Sequence, residues 1–201
     1  MNVLAYALTR LASEPIERLF KRRIADPIGM DARRWQWPAL DTRDGVVVNG
    51  GAGNRGAHVH VSARELARLG VLYLRRGRWN DRQLLSEAWV EAATRSQVSA
   101  SLPLGDPVAS PANGAGVYGF NWWTNGTRRN GQRLWPGVPS SAFGVSGWNN
   151  NRLFVIPDWD VVVVRLGQDH TKAFAITGAT WSEFLRRLGA ALTAREDAPR
   201  R

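Results

Sequence analysis

The sequence predicts an α+β fold, an antiparallel sheet flanked by helices, and three observations carry that expectation. The first part of the chain sets apolar residues at helical spacing. The second alternates short β-branched and aromatic runs with turn residues, and the chain closes on an amphipathic helix able to lie back across those strands. A length of 201 residues with 44% hydrophobic side chains suits one globular core.

Residues 2–13 place Leu4, Leu8 and Leu11 on one face of a first helix. Pro15 suits the first turn of a second helix, where a missing N–H is harmless, and Ile16, Leu19, Phe20 and Ile24 continue an apolar stripe. Asp26-Pro27 stops that helix and DPIGM turns the chain. Residues 31–57, rich in Gly, Asp, Asn and Trp, read as a long surface loop with one short strand at Val46-Val47-Val48. A loop of that length in a compact domain is more often functional than idle.

HVHVSARELARLGVLYLRRG carries the clearest local signal. Ser62 is an N-cap with Glu65 three residues on, the spacing of a capping box, and Gly77 provides a left-handed stop. Leu66, Leu69, Val71, Leu72 and Leu74 supply its buried side. Ser86 opens a shorter helix, SEAWVEAAT. After a polar loop at 99–116, strands are expected at 117–124, 142–147, 152–156 and 161–166, the last two joined by Pro157-Asp158-Trp159-Asp160. The closing helix runs over 173–194 with Phe174, Ile176, Trp181, Phe184, Leu185, Leu188 and Leu192 on its apolar side. Residues 1–195 are thus expected to form the folded portion and 196–201 a disordered tail.

Composition narrows the chemistry. There is no cysteine, so neither a disulfide framework nor thiolate catalysis is available. No apolar run reaches the length of a membrane span, and the N-terminus has neither the basic lead nor the cleavage site of a signal peptide. The compartment stays open. The net charge of +10 comes from 27 basic against 17 acidic residues, but the arginines are scattered or in short clusters with no nucleic-acid motif beside them. Solvated helix faces account for them better than a nucleic-acid partner. His58-x-His60 has a spacing that metal sites use, yet no third ligand is near in sequence, so an ordinary strand before a helix is the reading and no metal or cofactor is expected. His170 is expected to be exposed. Of the ten tryptophans, Trp35, Trp37, Trp135 and Trp148 lie in candidate cleft loops, and the family resemblance set out below implies that they line an acyl pocket.

AFGVSGWNNNRLFVIPDWDVVVVRLG, residues 142–167, reads as a hairpin headed by Val145-Ser146-Gly147. Small residues at a strand edge mark a close approach, by another backbone or by a ligand. Several segments together resemble the serine β-lactamase-related hydrolases, a family that includes class C β-lactamases, DD-peptidases and esterases. They are IADPIGM, the Gly-rich lead into SARELARLG with its following RGRW turn and LLSEAW, the strand-like YGFNWW, and this final hairpin. The similarity runs from about residue 2 to residue 194, and the matches fall in the family's order.

The resemblance implies a β-lactamase/DD-peptidase-like fold and acyl transfer through a serine acyl-enzyme on an ester, amide or peptide substrate. Such chemistry needs a Ser-x-x-Lys nucleophile and base, a Tyr-x-Asn/Ser element, and a Lys/His-Thr/Ser-Gly strand that binds substrate and donates an oxyanion-hole amide. Only the third is found. Lys21 and Lys172 are preceded three residues earlier by Arg18 and Asp169, and none of the three tyrosines begins Tyr-x-Asn/Ser. The expectation is an N-terminally incomplete member of the family, with no catalytic nucleophile in this chain. Val145, Ser146, Gly147 and Trp148 fall at the third motif. Ser146 supplies the hydroxyl, Gly147 the room for substrate and Trp148 the oxyanion amide. Val145 stands where relatives place a cation, which favours a less acidic substrate. A non-catalytic binding or scaffold protein built on the same fold is the other reading.

Overall fold

The computed structural model describes residues 2–51, 56–102, 114–169 and 176–196. His170, Phe174 and residues 197–201 lie outside the described residues. The chain divides into two compact units, Met1–Leu84 and Leu85–Arg201.

The first unit opens with α1 (Asn2–Ala12) and α2 (Ile16–Phe20), which runs into a π-helical turn at Lys21–Ala25. A small core of Ala5, Ile16 and Val48 joins these helices to the following strands, with Tyr6 and Trp37 packed against it. The leucine face of α1 is therefore the open face. Val3 and Leu11 are 82% and 84% exposed, and Leu4 and Leu8 are also exposed. The physical reason is the small contact residue: Ala5 allows close approach, and Thr9, buried beside it, donates its hydroxyl to the Ala5 carbonyl at 2.9 Å.

The expected loop at 31–57 is largely a ribbon. β1 (Trp35–Gln36) pairs antiparallel with β4 (His60–Val61), and β2 (Ala39–Arg43) pairs with β3 (Val46–Asn49). Asp44 and Gly45 both have positive φ (50° and 77°), as a two-residue hairpin turn requires. Asn49 is the hub here. Its Oδ1 accepts from the Glu17 N–H at 2.9 Å near the start of α2, and its Nδ2 donates to the Trp37 carbonyl at 2.8 Å.

α3 (Ala63–Leu74) starts at Ser62, whose Oγ accepts from the Glu65 N–H at 3.4 Å. The reciprocal half of the capping box does not form, because the Ser62 N–H already donates to the Arg34 carbonyl at 2.9 Å. Glu65 instead turns inward, 2% exposed, where it accepts from the Asp31 N–H at 3.3 Å and pairs with Arg68 at 3.2 Å. Leu72 is the fully buried leucine of this helix; Leu66, Leu69, Val71 and Leu74 are half-buried. Gly77, at φ 83°, donates to the Leu72 carbonyl at 2.8 Å and ends the helix, and β5 (Arg78–Trp79) and β6 (Arg82–Gln83) form a short hairpin after it.

In the second unit, Ser86 caps α4 (Glu87–Thr94), its Oγ accepting from the Trp89 N–H at 3.2 Å. A four-stranded antiparallel sheet follows in the order β10 (Val161–Arg165), β9 (Arg152–Ile156), β8 (Phe143–Ser146), β7 (Trp123–Thr124). The strand expected over 117–124 is mostly a tight turn: Gly119 donates to the Trp122 carbonyl at 2.8 Å, and only Trp123 and Thr124 reach the sheet. α5 (Gly178–Glu196) packs on one sheet face through Trp181 and Leu185 against Phe154 and Ile156. Phe154 lies edge-on to Trp135 with centroids 5.1 Å apart and tilted to Trp181 at 5.2 Å. Gly189 keeps α5 close to the strands, since a Cβ there would meet the Trp159 ring at 2.5 Å.

Candidate functional site: the end of strand β8

The register of β8 against β9 decides what each residue of the third motif faces. Phe143 pairs with Val155, Gly144 with Phe154, Val145 with Leu153 and Ser146 with Arg152. Alternate side chains point to opposite faces. Ser146 and Arg152 therefore share the α5 face with Phe154 and Ile156, whereas Val145 and Leu153 share the other.

Beyond Ser146 the strand opens. Ser146, Gly147 and Trp148 are all exposed, Trp148 at 87%. Gly147 has an ordinary φ of −113°, and a Cβ there would meet its nearest described protein atom at 3.4 Å, so nothing among the described residues demands a glycine. Gly144 differs: a Cβ there would lie 2.4 Å from the Leu153 carbonyl oxygen. Trp148 opens a 3₁₀ turn (Trp148–Asn150), and its N–H donates to no loop or turn carbonyl among the described residues, as befits the first amide of a helical turn.

The three asparagines behind Trp148 hold this turn. Asn149 and Asn150 sit at φ 55° and 54°, a left-handed region that asparagine enters more readily than most side chains. Asn150 Oδ1 accepts from Arg152 Nη2 at 3.3 Å and Trp181 Nε1 at 3.4 Å, while its Nδ2 donates to Asp169. Arg165 pairs with Asp169 at 3.1 Å and also donates to the Asn149 carbonyl. Asn151 closes the loop: its carbonyl accepts from the Gly147 N–H and its Oδ1 from the Gly167 N–H, both at 2.8 Å.

A cavity of about 420 Å³ lies on the α5 side of this strand end, bordered by Trp123, Arg128, Trp135, Ser146, Arg152 and Trp181 among others. Burial pushes the Arg152 guanidinium below its usual range, partly countered by Asp169. The four tryptophans expected to line an acyl pocket do not border one described cavity. Trp35 and Trp37 border a cavity of about 360 Å³ within the first unit, Trp135 borders the one beside Ser146, and Trp148 borders neither. In the first unit the rings of His58 and His60 stack with centroids 4.6 Å apart, and His60 Nε2 lies 2.7 Å from the Gly56 carbonyl. No group of three or more acidic or histidine side chains converges on a metal site among the described residues, and none of the described helices is long and apolar enough to cross a membrane.

Sequence reasoning missed Arg152, Arg165, Asp169 and the fully buried Asn125. Asn125 accepts from the Trp135 N–H at 2.7 Å and donates to the Val138 carbonyl at 2.9 Å, tying the loop before β8 to the core. Arg152 comes opposite Ser146 because the connection between them, residues 147–151, is five residues long, a register that the turn geometry sets.

A sequence profile of the beta-lactamase family matches residues 1–182. Among solved structures, the chain is similar to a protein assigned as a 6-aminohexanoate-dimer hydrolase from Bacillus anthracis, with 20% identity and a TM-score of 0.61, covering 99% of this chain and 43% of that one. It is also similar to a beta-lactamase from Mycobacterium bovis, with 16% identity and a TM-score of 0.60 over 96% of this chain and 61% of that one. A mutant simvastatin synthase from Aspergillus terreus gives 13% identity and a TM-score of 0.61, over 96% and 54%. The chain thus spans roughly half the length of the structures it matches. No curated protein sequence matches it.

Proposed function

The chain belongs to the beta-lactamase family, and from that premise we propose that it carries the substrate-binding strand of a serine hydrolase acting by acyl transfer on a small ester, amide or peptide. In this reading the substrate carbonyl lies against the end of β8. The Ser146 hydroxyl hydrogen-bonds the substrate, Gly147 leaves space for it, and the Trp148 N–H donates to the oxyanion that develops as the carbonyl carbon becomes tetrahedral. The observation carrying the proposal is Gly147, which the protein's own packing does not require although a ligand approaching the strand would. The Trp148 N–H, which donates to no loop or turn carbonyl among the described residues, supports the same role. The structural neighbours are named for lactamase, dimer-hydrolase and synthase activities, so the fold alone selects no substrate.

The nucleophile is not supplied by these 201 residues, which contain neither Ser-x-x-Lys nor Tyr-x-Asn/Ser. That observation favours a second reading, a binding or scaffold protein that keeps the fold without turnover. The coding sequence upstream of residue 1 separates the two: an in-frame Ser-x-x-Lys and Tyr-x-Asn supports the hydrolase, and a stop codon without them supports the scaffold. In a form that carries those motifs, Ser146→Ala is expected to lower kcat/KM for every substrate by roughly tenfold, the loss of about one hydrogen bond at the reacting carbonyl. Unchanged kcat/KM would remove Ser146 from the site.

A further inference from the structure

Among the described residues, the acidic side chains withdrawn from bulk solvent pair with arginines, with one exception. Glu14 pairs with Arg22, Asp31 with Arg33, Glu65 with Arg68, Asp169 with Arg165 and Glu183 with Arg186. The exception is Glu17, which is half-buried and whose carboxylate has neither a hydrogen bond nor an ion pair to any described residue. In a chain with 27 basic against 17 acidic residues, an acid withdrawn from water without a cation runs against the charge balance. A carboxylate so placed loses hydration without gaining a donor. Its place in the first turn of α2 favours a negative charge, but that helix is five residues long and the Glu17 N–H donates to Asn49 Oδ1.

Glu17 borders the cavity of about 360 Å³ in the first unit, whose other walls include Trp35, Trp37 and Pro38. Both indoles are held in place. Phe20 meets Trp35 and Trp37 edge-on, with centroids 5.4 and 6.0 Å apart, and Trp37 Nε1 donates to the Gly50 carbonyl at 2.7 Å. Lys21 borders the cavity too, but its ammonium is held by both oxygens of Asp26, at 2.6 and 2.7 Å. The positive charge of Lys21 is therefore already matched, and the negative charge of Glu17 is not.

We propose that this cavity binds a small primary ammonium carried on an apolar body, its cation on Glu17 and its body against Trp35, Trp37 and Pro38. An ammonium supplies the donors that the carboxylate lacks, and charge-assisted bonds of this kind are the stronger ones. Indole is also the aromatic ring that attracts cations best. The volume falls in the range of small-molecule sites. The site takes no residue from the end of β8, so its occupancy is independent of acyl transfer and is measurable without turnover.

The test is equilibrium binding of 2-phenylethylammonium to the 201-residue chain near neutral pH, with 2-phenylethanol as the neutral twin. Calorimetry gives the affinity, and the indole N–H resonances of Trp35 and Trp37 locate the ligand. Salt at about 0.15 M limits repulsion by the chain's overall positive charge to within about 8 Å. Saturable binding of the ammonium is expected to move both resonances, with the alcohol at least about fivefold weaker, the loss of one partly solvated charge pair. Glu17→Gln is expected to weaken the ammonium by about fivefold and to leave the alcohol unchanged. The ammonium–alcohol comparison is made on the wild type, so it decides the matter if Glu17→Gln does not fold. Equal binding of the two ligands, no saturable binding of the ammonium, unmoved Trp35 and Trp37 resonances at saturation, or unchanged affinity in folded Glu17→Gln would each overturn the proposal.

Discussion

Ser146 and Arg152 stand directly across from each other on neighbouring strands, and Val145, one residue earlier, stands across from Leu153 on the other sheet face. A cation introduced at Val145 and the cation already present at Arg152 would therefore act on different sides of the sheet. Val145→Lys is expected to change stability by less than about 1 kcal/mol, since the new charge stands on the other sheet face from Arg152. Denaturant midpoints of the wild type and this variant check it, and a larger loss would mean that the two charges share one side of the sheet.

The two glycines of β8 separate packing from function. Gly144→Ala pushes a Cβ to 2.4 Å from the Leu153 carbonyl oxygen and is expected to cost about 1–3 kcal/mol, the usual penalty for overpacking. Gly147→Ala meets only an ordinary contact at 3.4 Å and is expected to stay within about 0.5 kcal/mol. Denaturant midpoints of the two variants make the comparison. Equal losses would show that Gly147 also serves packing.

Asn125 ties four backbone groups together in the core: its two Nδ2 hydrogens are shared among the carbonyls of Trp135, Val138 and Pro139, and its Oδ1 accepts from the Trp135 N–H. Asn125→Ala leaves those buried groups without a partner and is expected to cost about 3 kcal/mol. Thermal unfolding measures the loss, and a shift of less than about 1 kcal/mol would mean that water reaches this loop.

The open face of α1 predicts a surface response. Leu11 is 84% exposed, so Leu11→Lys is expected to leave stability within about 0.5 kcal/mol while lowering binding of a hydrophobic dye. A large destabilisation would show that another surface covers this face in solution.

At the far helix, hydrogen bonds from Arg186 and then Arg187 lower the Glu183 carboxyl from 4.5 to about 2. A depressed carboxylate stabilises the folded state above its unfolded value, and that contribution disappears as pH falls from about 4.5 through about 2. Carboxyl titration followed by NMR should place Glu183 low, and Arg186→Gln should move it upward. An ordinary titration in the wild type would show that these exposed pairs do not persist.

Much of the architecture was legible because its signals are local. Ser62, Gly77 and Ser86 mark helix ends through their own backbone chemistry, and the β-branched runs at 152–156 and 161–165 fix the hairpin. The β2–β3 ribbon was not read, since every residue of β2 is exposed and the strand has no apolar alternation, although Asp44-Gly45 was a hairpin signal in plain view. Helical spacing places Leu4, Leu8 and Leu11 on one face of α1 without saying what covers it, and that face is open. At the candidate site, Val145-Ser146-Gly147-Trp148 was read from motif likeness. Arg152 follows from the register of β8 against β9, whereas Arg165 and Asp169 reach the asparagine turn only through contacts made 16 to 19 residues away in sequence.

The most direct test of the central claim, that this chain contributes a substrate-binding strand but no nucleophile, is turnover by the purified 201-residue protein. A chromogenic ester and a chromogenic cephalosporin should be hydrolysed no faster than with a control protein matched in arginine and tryptophan content. Turnover above that control, abolished by a serine-acylating inhibitor, would contradict the account by placing a working nucleophile within these residues.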